Sequence, residues 1–106
     1  MKEPTFAAAY AAFYPVLAEL SRENGYALAI HGSVVTDFDL IAIPWTKNAT
    51  SMDTLITTIS NYACMFSHDK SEVLIGPEEK EHGRKAWSIC MGNGAVIDFS
   101  IMPMAI

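Results

Sequence analysis

Residues 26–43 read YALAIHGSVVTDFDLIAI, and this stretch decides the fold. Its first five residues, 26–30, form an apolar run that is short enough for a buried strand. His31-Gly32-Ser33 ends that run, and residues 37–43 form a second strand candidate that Pro44 closes. Side chains alternate between the two faces of a strand. One face of the second strand would carry Asp37, Asp39, Ile41 and Ile43, and the other Phe38, Leu40 and Ala42.

We expect one helix on each side of this pair of strands. Before it, apolar residues recur at alternating steps of four and three, which is typical of an amphipathic helix. These residues are Phe6, Tyr10, Phe13, Leu17 and Leu20. Pro15 should kink or divide that helix, and Gly25 should end it. A second helix should begin near Thr50 or Ser51, with Asp53 completing an approximate capping box.

The last third of the chain is rich in strand signals. Residues 73–75 form a short strand candidate, and residues 76–83 resemble a charged loop. Residues 86–91 and 95–102 flank Gly92-Asn93-Gly94, which is a strong hairpin signal because Gly and Asn tolerate positive φ. We therefore predict one α+β domain over residues 1–106. Two main helices would pack on one face of a mixed or antiparallel sheet of four to five strands.

Composition narrows the function classes. The chain has 106 residues, a net charge of −5, 51% hydrophobic residues and 18% charged residues. The negative charge argues against a domain that coats nucleic acid, although a divalent cation could reverse the sign locally. The low charged fraction favours either an apolar surface that a protein partner or a second copy covers, as in a homodimer, or a well-filled core.

The sequence contains few signals that would direct the protein to a cellular compartment. We find neither a signal peptide nor a membrane-spanning apolar run, and the two cysteines lie far apart in the chain. We therefore expect a soluble, cytoplasmic protein that does not act at a membrane.

Acidic residues within apolar runs suggest a metal site. Asp37 and Asp39 would point to the same side of a strand, about 6–7 Å apart at the backbone. Oxygen ligands of this kind suit magnesium. Asp98 lies within the apolar run 95–101, where a charge needs compensation. Three acids on neighbouring strands would provide the geometry for two-metal phosphoryl transfer.

Two alternatives remain for these acids. Asp37 could simply begin a strand, and Asp98 could face water or pair with Arg84 or Lys85. These two cations belong to the one concentrated basic segment, residues 82–85. They could contact a triphosphate, or they could balance the acids of the preceding loop.

The order of these motifs resembles the nucleotidyltransferase superfamily of the DNA polymerase β type, particularly its small, minimal members. The resemblance is carried by Ile30-His31-Gly32-Ser33 and Asp37-Phe38-Asp39-Leu40-Ile41, with Asp98 on a later apolar strand. It implies that Asp37 and Asp39 bind Mg²⁺, or Mn²⁺. It also implies that Asp98 completes the site and assists deprotonation of a hydroxyl, while Gly32 and Ser33 hold phosphates.

The resemblance leads to two functional hypotheses. The first is a nucleotidyltransferase that binds a nucleoside triphosphate with Mg²⁺ and transfers the nucleotide to a hydroxyl, with Arg84 and Lys85 on the phosphates. The second is an inactive domain of the same fold that binds a protein or nucleotide ligand, as a regulatory, toxin–antitoxin or phage accessory protein. Only three residues separate Ser33 from Asp37, where the family usually has a longer stretch, and this favours the second hypothesis. A weaker third hypothesis, an RNA-associated or anion-binding domain, conflicts with the net charge.

Overall fold

Over the residues that the structure describes, two helices and five strands make up an α+β fold, which confirms the predicted class. A computed structural model describes residues 7–32, 37–64, 74–91 and 95–104. The elements are α1 (Ala7–Glu23), β1 (Tyr26–Ile30), β2 (Asp37–Pro44), α2 (Met52–Cys64), β3 (Leu74–Glu79), β4 (Lys85–Cys90) and β5 (Val96–Ile101), with a short 3₁₀ turn at Glu81–Gly83. Within these ranges no helix is both long enough and apolar enough to cross a membrane.

The strands form one mixed sheet in the order β1-β2-β5-β4-β3. β5 lies between β2 and β4, parallel to β2 and antiparallel to β4. The β1–β2 and β3–β4 pairs are also antiparallel. The predicted pairing of the last two strands is therefore confirmed, although the Gly92-Asn93-Gly94 turn lies outside the described residues.

The core lies on one face of this sheet. Along the three central strands, buried residues of this face alternate with residues that are not buried, as the alternating apolar pattern predicts. These residues are Phe38, Leu40 and Ala42 of β2, Trp87 and Ile89 of β4, and Ile97, Phe99 and Ile101 of β5. Leu17 of α1 and Leu55 and Ile59 of α2 join the same cluster. The alternate residues of the central strands therefore form a second face, which is only partly covered and which we call the open face.

Two tyrosines one turn apart attach α1 to the sheet. The Tyr10 ring stacks on Phe38 with 4.9 Å between ring centroids, and its hydroxyl accepts a 3.1 Å hydrogen bond from the Val96 backbone N–H. The Tyr14 hydroxyl donates a 2.7 Å bond to the Leu28 carbonyl of the edge strand β1. Because side chains at i and i+4 share a helix face, these contacts hold α1 across the core side of the sheet. Within the described ranges, both helices pack on this side of the sheet.

Two local features differ from the sequence prediction. The predicted division of α1 at Pro15 does not occur, because the helix runs through Pro15 as one element, and a kink there stays a prediction. Pro15 is exposed, so the helix loses one backbone bond while buried Tyr10 and Leu17 hold it on both sides. The expected loop at 76–83 is strand as far as Glu79, because pairing with β4 outweighs local composition.

The cap of α2 also differs from the predicted box. The Ser51 hydroxyl accepts a 3.2 Å hydrogen bond from the Thr54 backbone N–H, which is the geometry of a helix N-cap. Thr50 instead donates from its hydroxyl to the Asn24 side chain at 3.0 Å, which links the start of α2 to the end of α1.

Replacing Ser51 by alanine tests this cap. Ser51→Ala should lower the free energy of unfolding by about 1 kcal/mol, because one N–H at the start of α2 loses its partner. Ser60→Ala, within the same helix, should change it by less than about 0.5 kcal/mol. Urea denaturation of both variants measures the difference. Equal changes in the free energy of unfolding would show that Ser51 is not the N-cap of α2.

Candidate functional site

A row of polar side chains crosses the open face of the sheet over four strands. The His31 backbone N–H bonds the Asp39 carbonyl at 2.7 Å, which extends the β1–β2 pairing by one residue. Asp39 is the register partner of Asp98 across the parallel pair β2 and β5, and Asp98 is the register partner of Ser88 on β4. Neighbouring strands lie about 4.8 Å apart. The fold therefore places two carboxylates side by side in one row.

The Asp39–Asp98 pair is electrostatically strained. Burial raises the pKa of the Asp98 carboxyl above its usual value, and the Asp39 carboxyl raises it further through a shared hydrogen bond and charge repulsion. The Ser88 hydroxyl, which donates to Asp98 Oδ1 at 3.2 Å, and the positive charge of Lys80 act in the opposite direction. Two adjacent carboxylates of this kind are stabilised by a proton or a cation between them.

The donor set fits a hard divalent cation, since carboxylate oxygens are the ligands such ions prefer. Asp37 is less closely associated with the pair. It lies on the open face two residues before Asp39, but its register partner is Val96 and it is exposed. Among the described residues, no three His, Cys, Asp or Glu side chains lie close enough together to hold a metal ion. The role of Asp37 as a metal ligand stays a prediction.

Gly32 lies directly against Asp39. Its φ is +83°, and a Cβ built there would come within 3.0 Å of Asp39 Oδ2. A side chain at this position would be strained and would press on the carboxylate. The backbone after β1 therefore approaches the Asp39 carboxylate closely. The role of Gly32 in holding phosphates stays a prediction. Ser33 lies outside the described residues, so its role stays a prediction.

A cavity of about 590 Å³ opens over this row. Its floor includes Ile41, Ser100 and Ala86, which are register partners across β2, β5 and β4. Each of them lies two residues along its own strand from the row that contains Asp39 and Asp98. Its lining also includes Glu78, Lys80 and Arg84, from the end of β3 and the connection to β4. The cavity therefore contains the acid pair together with a separate pair of cations.

Of the two predicted basic residues, Arg84 and Lys85, only one lines the cavity. Arg84 lines the cavity and donates from Nη1 to the Ser100 hydroxyl at 2.8 Å. Lys85 does not line it, and strand alternation turns its side chain to the face opposite that of Ala86 and Ser88. Lys80, which belongs to the predicted loop at residues 76–83, lines the cavity instead. Its only sequence signal was a positive charge four residues before Arg84.

Comparison with known proteins gives no match to a protein-family model, a curated protein or a solved structure.

Neutralising Asp98 tests the strain in the acid pair. A carboxyl whose pKa is raised in the folded state destabilises the fold at any pH above that pKa. In metal-free buffer at neutral pH, Asp98→Asn should therefore raise the free energy of unfolding by about 0.5–1 kcal/mol, a modest gain because solvent screens a partly buried pair. The gain should shrink as the pH falls through the raised pKa of Asp98 toward 3.8, the ordinary value, and should vanish below it, where the carboxyl is protonated in both states.

Thermal unfolding between about pH 4 and about pH 8 measures this difference. Asp53→Asn is the matched control, since Asp53 is exposed in the first turn of α2 and should be neutral or slightly stabilising as a carboxylate. A loss of stability in Asp98→Asn at neutral pH would contradict the strained pair.

Proposed function

We propose that this domain binds a nucleoside triphosphate together with Mg²⁺, or Mn²⁺, in the cavity on the open face, and transfers the nucleotidyl group to a hydroxyl. The observation that supports this most is the Asp39–Asp98 pair with the backbone of Gly32 against it. Adjacent carboxylates and a close glycine backbone are what a metal-bridged phosphate chain requires. The resemblance of residues 26–43 to small nucleotidyltransferases adds the type of reaction.

Each residue then has a distinct role. Asp39 and Asp98 would hold the cation, with Asp37 as a further ligand on the same strand. When bound, the cation neutralises phosphate charge and aligns the displacement. Gly32 leaves room for phosphate oxygens beside the acids. A local cation also reconciles an anionic ligand with a net charge of −5.

Asp98 is the better placed proton acceptor of the pair. The resemblance assigns it to deprotonation of the hydroxyl, and the Ser88 hydroxyl orients it through a 3.2 Å hydrogen bond to Asp98 Oδ1. In the transfer, the hydroxyl oxygen forms a bond to the α-phosphorus and the bond to the β-phosphate oxygen breaks. Pyrophosphate leaves, and the hydroxyl proton passes to Asp98.

A second candidate is a non-catalytic domain that binds a nucleotide or a protein partner. The peripheral position of Asp37 favours it, since Asp37 does not join the Asp39–Asp98 pair. Ile43 and Trp45, 45% and 65% exposed at the far end of β2, also favour a partner surface. The two candidates differ in one result: only the enzyme releases pyrophosphate from a nucleoside triphosphate.

Calorimetric titration with a nucleoside triphosphate, with Mg²⁺ and with chelator, tests the proposal. The wild type should bind at least about tenfold more tightly with Mg²⁺. The double variant Asp39→Asn with Asp98→Asn should lose that dependence, because no carboxylate pair remains to hold the cation.

The control carries Asp53→Asn with Glu23→Gln, which removes two negative charges from exposed helix positions. It should retain the metal dependence of the wild type. The proposed site would be refuted if the affinity of the wild type for the nucleotide were the same with and without Mg²⁺. It would also be refuted if Mg²⁺ still increased the affinity of the double variant. Metal-dependent binding without pyrophosphate release would leave the non-catalytic candidate.

A further inference from the structure

We propose that Lys80 and Arg84 form a separate phosphate-binding subsite in the same cavity, which holds a phosphate group without any divalent cation. The subsite does not depend on nucleotidyl transfer. It is built by the connection between β3 and β4, whereas the acid pair is built by β2 and β5.

A tight turn brings the two cations together. The Lys80 backbone N–H bonds the Arg84 carbonyl at 2.7 Å, and the Arg84 N–H bonds the Glu81 carbonyl at 3.3 Å. His82 and Gly83 have positive φ values of 62° and 78° inside this turn. A Cβ on Gly83 would come within 3.1 Å of Pro103, so the turn is packed against the body of the domain. Lys80 and Arg84 are therefore held on the same rim of the cavity.

Arg84 is a half-buried cation that lacks an anionic partner among the residues that the structure describes. Its Nη1 donates to the Ser100 hydroxyl at 2.8 Å, which orients the guanidinium toward the cavity floor. No carboxylate of the described chain forms an ion pair with it. A partly desolvated guanidinium with free N–H groups is a strong site for an oxyanion, which it can bind through two parallel hydrogen bonds.

Lys80 is available to the same anion. Its ammonium pairs with the Glu78 carboxylate at 2.8 Å, and this contact lowers the pKa of Glu78. The Glu78 side chain is 73% exposed, and exposed ion pairs of this type are weak. A phosphate beside Arg84 would compete for the ammonium, so Glu78 acts as an internal competitor.

The acid pair selects the kind of ligand. An anion in the cavity is repelled by Asp39 and Asp98 and attracted at the opposite rim, so it should settle at Lys80 and Arg84. Phosphate oxygens match the fork of the guanidinium. A phosphate group could come from inorganic phosphate or from the phosphate chain of a nucleotide, and both share this chemistry.

The test uses inorganic phosphate at low ionic strength in buffer that contains a chelator. Its affinity is measured by titration of amide chemical shifts, which also verifies that each variant is folded. Arg84→Gln should weaken binding about tenfold, because a charge-assisted contact is lost. Lys85→Gln removes the same charge from the next residue, on the other face of the sheet, and should change the affinity by less than about twofold.

Two further variants examine the parts of the subsite. Ser100→Ala keeps the charge of Arg84 but removes its anchor, and should weaken phosphate binding by an intermediate factor of about threefold. Glu78→Gln removes the competitor of Lys80 and should tighten binding by about twofold. Equal losses in Arg84→Gln and Lys85→Gln would show non-specific attraction and overturn the subsite, as would wild-type binding that Arg84→Gln leaves unchanged.

The double variant Asp39→Asn with Asp98→Asn separates this proposal from the proposed function. It should lose metal-dependent nucleotide binding yet bind inorganic phosphate as tightly as the wild type or more tightly, since repulsion from the acids is removed. Loss of phosphate binding in this variant would contradict an independent subsite. Displacement of phosphate by a nucleoside triphosphate in chelated buffer would identify the nucleotide as a source of the bound group, and failure to displace it would identify free phosphate.

Discussion

The parallel pairing of β2 with β5 is the constraint on which the rest of the site depends. It inserts the last strand between β2 and β4 and sets Asp39 opposite Asp98. A shift of one residue in this register would turn one of the two carboxylates toward the core, where a charge is costly. The apolar residues on either side of each acid, such as Phe38 and Ile97, are buried and hold the register in place.

The same pairing gives the cavity two ends of opposite charge. The acids lie on the central strands, and the cations Lys80 and Arg84 lie on the turn after β3. Small or apolar side chains form the floor between them, including Ala86 and Ser100. A ligand that carries a cation at one end and a phosphate at the other matches this distribution better than a simple cation or a simple anion does. The net charge of −5 gives no indication of such a local arrangement.

Much of the fold could be predicted from local patterns. The alternation in residues 37–43 placed Asp39 on the face opposite Phe38 and Leu40, and the burial pattern confirms it. The charge at Asp98 within an apolar run marked it as a residue that needs a partner. Strand order could not be predicted, because alternation reports which face a residue occupies and not which strand lies beside it. Asp37 and Asp39 are equivalent by sequence, and only the register separates them.

The basic rim was harder to predict for a related reason. Residues 76–83 are rich in charge, glycine and proline, so they suggested a loop, yet β4 pairs with Glu78 and Glu79 and brings Lys80 to the cavity. Arg84 and Lys85 are adjacent in sequence and point to opposite faces for the same reason that Asp39 and Phe38 do. Strand boundaries, which depend on tertiary pairing, decide such assignments.

The most direct test of the central claim is a titration of the isotope-labelled protein with Mn²⁺, whose paramagnetism broadens the signals of nearby nuclei. If Asp39 and Asp98 hold the cation, the amides of Phe38, Asp39, Ile97 and Asp98 should broaden first, while those of α2 on the far side of the sheet remain sharp. Broadening centred on Asp37 and away from Asp98, or spread evenly over the exposed acids, would contradict a site made by the pairing of β2 with β5.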